Sequence, residues 1–102
     1  MDALKGTMNT KVVRDDEQSL YELYAGDDRV GLISSRSRPD SRVVMLHTEV
    51  DEDIEGRGLG SRLVADALAD VRARGLTVTP LCPFVAEYIR RHPEEGDLVA
   101  TP

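Results

Sequence analysis

The stretch EGRGLGSRLV, residues 55–64, sets three glycines at every second position and then enters a helical pattern. Glycine in a first helical turn costs about 1 kcal/mol against alanine. Gly56, Gly58 and Gly60 together therefore imply that something approaches this backbone where side chains would be in the way. Upstream lies RVVMLHTEV, residues 42–50, rich in β-branched residues and apolar on both faces as far as His47. Its pattern predicts a central strand, buried on both sides. Downstream, Leu59, Leu63, Val64, Ala67, Leu68 and Val71 mark one face of a helix over 58–74, and Gly75 supplies the stop.

A strand, a glycine loop and a helix start form the place where an open sheet presents its binding crevice. The first helical N–H groups lack helical partners. Together with the macrodipole they favour an anion such as a phosphate. Arg57 adds one cationic contact. A P-loop needs Lys-Ser or Lys-Thr after its last glycine, and here Ser61-Arg62 follow Gly60. A dinucleotide fingerprint needs its third glycine one residue later, and the chain has a single βαβ unit.

Working outward, the first half alternates as strands: TKVVRD (10–15), SLYELYAG (19–26) and RVGLISSRS (29–37), separated by turn-forming segments. After the long helix come a short strand, LTVTP (76–80), and a second helix, PFVAEYIRRHP, opened by Pro83 and ended by Pro93. DLVA (97–100) is a further short-strand candidate. The order predicts an α/β (α+β) domain. Its sheet is mixed and mostly antiparallel, with about five strands, one right-handed βαβ crossover and two helices. Residues 1–9 read as a flexible tail and 10–102 as a single domain, since 102 residues suffice for one core and not two.

The net charge of -6, from 19 acidic and 13 basic residues, argues against nucleic acid and anionic membrane as partners and leans toward a cationic ligand. No apolar run approaches a membrane span, and no export signal is read at the N-terminus. The single cysteine, Cys82, excludes an internal disulfide and cysteine-based zinc clusters, so no metal is expected and the setting is taken as cytoplasmic. Oligomeric state is not legible.

Glu55-Gly56-Arg57-Gly58-Leu59-Gly60 resembles the acyl-CoA loop of the GNAT acetyltransferase superfamily, usually Arg/Gln-x-x-Gly-x-Gly/Ala. With HTEV before it and PLCPFVAEYIRRHPE after it, the resemblance covers roughly residues 12–99 and points to the small single-domain branch. It implies acetyl-CoA (coenzyme A) as cofactor and transfer of an acetyl group to an amine, a small molecule or a protein lysine. The alternative is an acyl-CoA-binding regulatory or interaction module without efficient catalysis. Glu55 departs from the pattern and is expected to turn outward. By the resemblance, Gly56, Arg57, Gly58, Leu59, Gly60 and Ser61 hold the diphosphate, and the main chain of Thr48, Glu49 and Val50 pairs with the pantetheine amides.

Five side chains are catalytic candidates. Cys82 precedes Pro83 as an N-cap, where a thiolate is favoured, and reads as a nucleophile or as a small buried hydrophobe. Phe84, Tyr88 and His92 share one helix face. By the resemblance Tyr88 is the acid for the leaving thiolate, against a reading as a core aromatic. His92 is an acid–base candidate or a helix-end residue favourable to the dipole. His47 and Glu49 project to one face of the central strand, as proton acceptors or as a hydrogen-bonded strand-end pair.

Overall fold

A computed structural model describes residues 9–51 and 58–100. Four strands run as an antiparallel meander: β1 (Thr10–Asp15), β2 (Leu20–Ala25), β3 (Asp28–Arg38) and β4 (Arg42–Val50). Helix α1 (Leu59–Ala73) crosses over to β5 (Thr77–Pro80), which pairs parallel to β4 from Arg42↔Thr77 to Met45↔Pro80. Helix α2 (Pro83–Arg91) and a 3-10 turn (Pro93–Leu98) follow. The five strands stand in sequence order, β1-β2-β3-β4-β5.

The alternation read in β2 is real: Tyr21 and Leu23 are buried in the core. They meet Ile33, Val43, Met45 and Val78 beneath the apolar face of α1, where Leu63, Val64, Ala67, Leu68 and Val71 are fully buried. Val85 and Ile89 of α2 enter the same core. Gly75, at φ 71°, ends α1, and the Leu76 N–H donates to the Val71 carbonyl to close the last turn.

Two expectations need correction. β4 is interior to the sheet but is not buried on both faces: beyond Met45 its outer face is open, and Leu46 is 40% exposed. Among the described residues no helix lies over that face along β1–β4, where Val13 also stands exposed. The segment 97–100 is not a strand. Leu98 ends the 3-10 turn, and the chain then makes a single parallel bridge, Val78↔Val99, with the Ala100 N–H donating to the Val78 carbonyl.

Candidate active site

The site begins where β5 leaves β4. The N–H groups of Leu81 and Cys82 both donate to the Met45 carbonyl at 3.0 Å, and Pro83 then turns the chain into α2. β4 continues to Val50 with only β3 beside it. A β-bulge at Leu46 sits at this branch point, because Ser35 pairs Met45 while Ser34 pairs His47. One extra residue reverses the alternation that follows. Val43 and Met45 face the helices, and past the bulge that face passes to Thr48 and Val50 instead of His47 and Glu49. The main chain shifts with it. The Asp51 N–H donates to Val30 of β3, so the main-chain groups of Glu49 also aim at β3. Those of Thr48 and Val50 aim at the gap left by β5.

That gap is a cleft of about 430 Å³ lined by Thr48, Val50, Gly58, Gly60, Ser61 and Phe84. The N-terminus of α1 forms one end. Gly58 is its N-cap at φ 75°; among the described residues no side chain caps the helix, and no acidic residue stands in its first turn. The first helical N–H groups, from Leu59 to Ser61, are therefore unclaimed by any described side chain. Glu55, Gly56 and Arg57 lie outside the described residues. The two described glycines have separate reasons. At Gly58 an added Cβ would meet nothing within 4 Å, and the left-handed backbone sets the residue. Gly60 is set by space: a Cβ there would fall 2.8 Å from the Phe84 ring and 3.6 Å from Val50.

Thr48 Oγ1 and Cys82 Sγ are 3.2 Å apart across the base of the gap, and Cys82 is buried. Cys82 is the N-cap of α2, as expected, but its thiol makes no capping bond and turns to Thr48. On the open face, His47 Nε2 lies 3.1 Å from Glu49 Oε2, with both side chains exposed. Tyr88 stacks on His92 with ring centroids 4.0 Å apart. His92 Nδ1 donates to the Tyr88 carbonyl at 2.8 Å, which fixes the proton on that nitrogen and ties the ring to the end of α2. Burial first, then the nearby Glu95, Glu94 and Asp66, raises the Tyr88 phenol above its ordinary value. Tyr88 lies one turn along α2 from Phe84 and does not line the cleft.

A family model described as GCN5-related N-acetyl-transferase matches residues 20–98. The chain belongs to this family. Among solved structures, a GCN5-like protein from Staphylococcus aureus superposes with a TM-score of 0.69 at 15% identity, covering 94% of this chain and 93% of that one. Ard1 from Thermoplasma volcanium gives 0.58 at 23% identity, over 79% of this chain and 56% of its own. An acetyltransferase from Bacillus subtilis, in complex with CoA, gives 0.55 at 17% identity, over 72% and 64%. These likenesses establish the GNAT fold. No curated protein matches the sequence.

Within this GNAT domain, sequence reasoning misses three residues around the site. Spacing puts Phe84 on a helix face with Tyr88 and His92, yet it forms a wall of the cleft and is 44% exposed. The signal is its pairing with a glycine across two helix starts, which no one-dimensional pattern carries. Glu22 and Arg29 read as ordinary strand residues. Glu22 is buried, and Arg29 Nη1 donates to its Oε2 at 2.8 Å. A carboxylate between Tyr21 and Leu23 in mid-strand is the available sign.

Proposed function

We propose that this domain is an acetyl-CoA-dependent N-acetyltransferase acting on an amine by direct transfer. The observation that carries the reading is the cleft between β4 and β5. Among the described residues its β4 edge offers unpaired main-chain groups at Thr48 and Val50, and its far end is a helix N-terminus without a side-chain cap. The CoA complex of the Bacillus subtilis acetyltransferase, which shares the fold, supports it.

Acetyl-CoA supplies the acetyl group as an activated thioester. Thr48 and Val50 bind its amide-bearing arm as a strand would, through N–H and C=O groups. The N–H groups from Leu59 to Ser61 receive the diphosphate, with the macrodipole in support. Glu49, facing the open side with His47 at 3.1 Å, takes the proton from the incoming ammonium through water. The amine nitrogen then bonds the acetyl carbon as the carbon–sulfur bond breaks. Tyr88 gives a proton to the sulfur through water and recovers one, also through water, from the nitrogen, which loses its second proton as it becomes an amide. Cys82 is enclosed against Thr48 and outside the cleft lining, which favours direct transfer over a covalent relay.

Thermal unfolding with acetyl-CoA, CoA and NADH side by side tests the binding half: the first two raise the melting temperature and NADH does not. Thiol release with a panel of amines tests the chemistry. Glu49→Gln is expected to lower kcat by about 10²–10⁴-fold. Cys82→Ala is expected to retain turnover without a mass change on the chain. The uncovered sheet face favours a second reading, a module that holds acyl-CoA without transferring it. Tight binding with no turnover on any amine would select that one.

A further inference from the structure

Resting on the acetyltransferase reading, we infer that the acceptor is a small amine carrying its own carboxylate, such as a free amino acid. We place its site in a recess on the opposite side of β4 from the cofactor cleft. The recess, of about 180 Å³, is lined by Arg29, Val30, Gly31, Leu32, Glu49, Val50 and Asp51. It shares Val50 with the cleft, so the two adjoin at the end of β4. Glu49 borders the recess, which puts the proton acceptor at its edge.

The charges in the recess have both signs. Glu49 and Asp51 provide two carboxylates for an ammonium group. Arg29 provides a guanidinium that an amine alone would avoid. Its position is fixed from below: Nη1 donates to Glu22 at 2.8 Å, and that carboxylate is nearly enclosed while Arg29 itself is 45% exposed. Among the described residues no other atom of the guanidinium is bonded. A planar fork with one arm anchored and the rest exposed is suited to grip a carboxylate. A diamine or a lysine side chain would set a cation beside Arg29 with nothing to answer it. An amino acid answers both signs at once.

The test compares L-alanine with ethylamine and L-lysine with cadaverine, each pair differing by one carboxylate. Thiol release in the presence of acetyl-CoA is measured for wild type, Arg29→Lys and the double variant Glu22→Gln/Arg29→Gln. The double variant leaves no buried carboxylate without its cation. The expected result is at least a tenfold higher kcat/KM for the carboxylate-bearing member of each pair. That preference should fall to near unity in the double variant and shrink in Arg29→Lys, with acetyl-CoA affinity unchanged. Equal use of both members, or a preference that survives loss of Arg29, overturns the inference. NMR titration of L-lysine and cadaverine without acetyl-CoA reads the recess by itself. Shifts at Leu32, Glu49 and Asp51 with L-lysine alone are expected, and their absence overturns the inference. Failure of acetyl-CoA to bind, by contrast, would strike the acetyltransferase reading and leave those amide shifts as a separate measurement.

Discussion

Gly58 and Gly60 are two residues apart and respond to substitution through different physics. Gly58→Ala meets no neighbour but places an L side chain at φ 75°, which costs about 1–2 kcal/mol. Urea denaturation should show that loss directly. Gly60→Ala gains about 1 kcal/mol of helix propensity, and its methyl pushes against the flexible end of Phe84. We expect stability within about 1 kcal/mol of wild type, with several-fold weaker acetyl-CoA binding as the ring moves in the cleft. Gly60→Ala/Phe84→Leu should restore the affinity in a titration. Tyr21 makes a separate case. Burial, then the bond to Asp70 Oδ2 at 2.7 Å, raises its phenol well above the ordinary 10.0. The folded state thus favours the protonated form. That contribution is complete below about pH 10 and is lost as pH rises toward the folded value. Tyr21→Phe should lose about 1 kcal/mol at neutral pH and show a smaller further loss in alkali, read from urea midpoints. The two glycines also mark the reach of sequence reasoning. The anomaly of three spaced glycines is visible in the sequence, but the cause at Gly60 is a ring 24 positions away, and only folding brings the two together.

The elements themselves are legible because their periods are clean. Strands β1 to β4, helix α1 and the parallel β5 fall where alternation and the helical stripe put them, and Pro83 and Gly75 mark ends that the backbone respects. The fully buried Leu68 of α1 is expected to cost about 2–5 kcal/mol when cut to alanine, by the change in urea midpoint. The bulge at Leu46 escapes a reading by alternation, although it leaves a trace. Val43 and Met45 point inward, and strict alternation would put His47 and Glu49 inward too, where their polar groups would lack partners. An inserted residue resolves the conflict. Deleting Leu46 should therefore keep the sheet, as judged by circular dichroism, and leave Thr48 and Val50 facing inward, since His47 would follow Met45 in an unbroken ladder with Ser34 and Ser35. The acetyl-CoA-dependent rise in melting temperature should then persist, whereas one residue inserted after His47 should abolish it.

For the whole molecule, one side of the sheet carries the helices and the other is open along β1–β4. Composition favours a single small core, and the bare face follows from the shortage of further helices among the described residues. The candidate site is legible as a neighbourhood, at the end of β4 and the start of α1, because a glycine loop at a strand–helix junction has few other uses. Its partition is not legible, since Arg29 and Glu22 reach the site from β3 and β2 through pairing that alternation alone does not specify. A small domain with an unpaired strand edge gains much from a ligand that completes it. With acetyl-CoA at 100 times its Kd the gain is about 2.7 kcal/mol. For a chain of this size that is a rise of roughly 10 °C or more in Tm, measurable by calorimetry.

The extra residue at Leu46 gives β4 a parity. Shortening or lengthening the run between the bulge and Val50 by two residues would leave thioester and amine on their own sides of the strand. A change of one would exchange them, handing the carboxylate to the cofactor and the threonine to the acceptor. Tolerance of natural length variation in this strand should accordingly go in even steps, and a library of insertions after His47 would sort into active and inactive members by odd or even count.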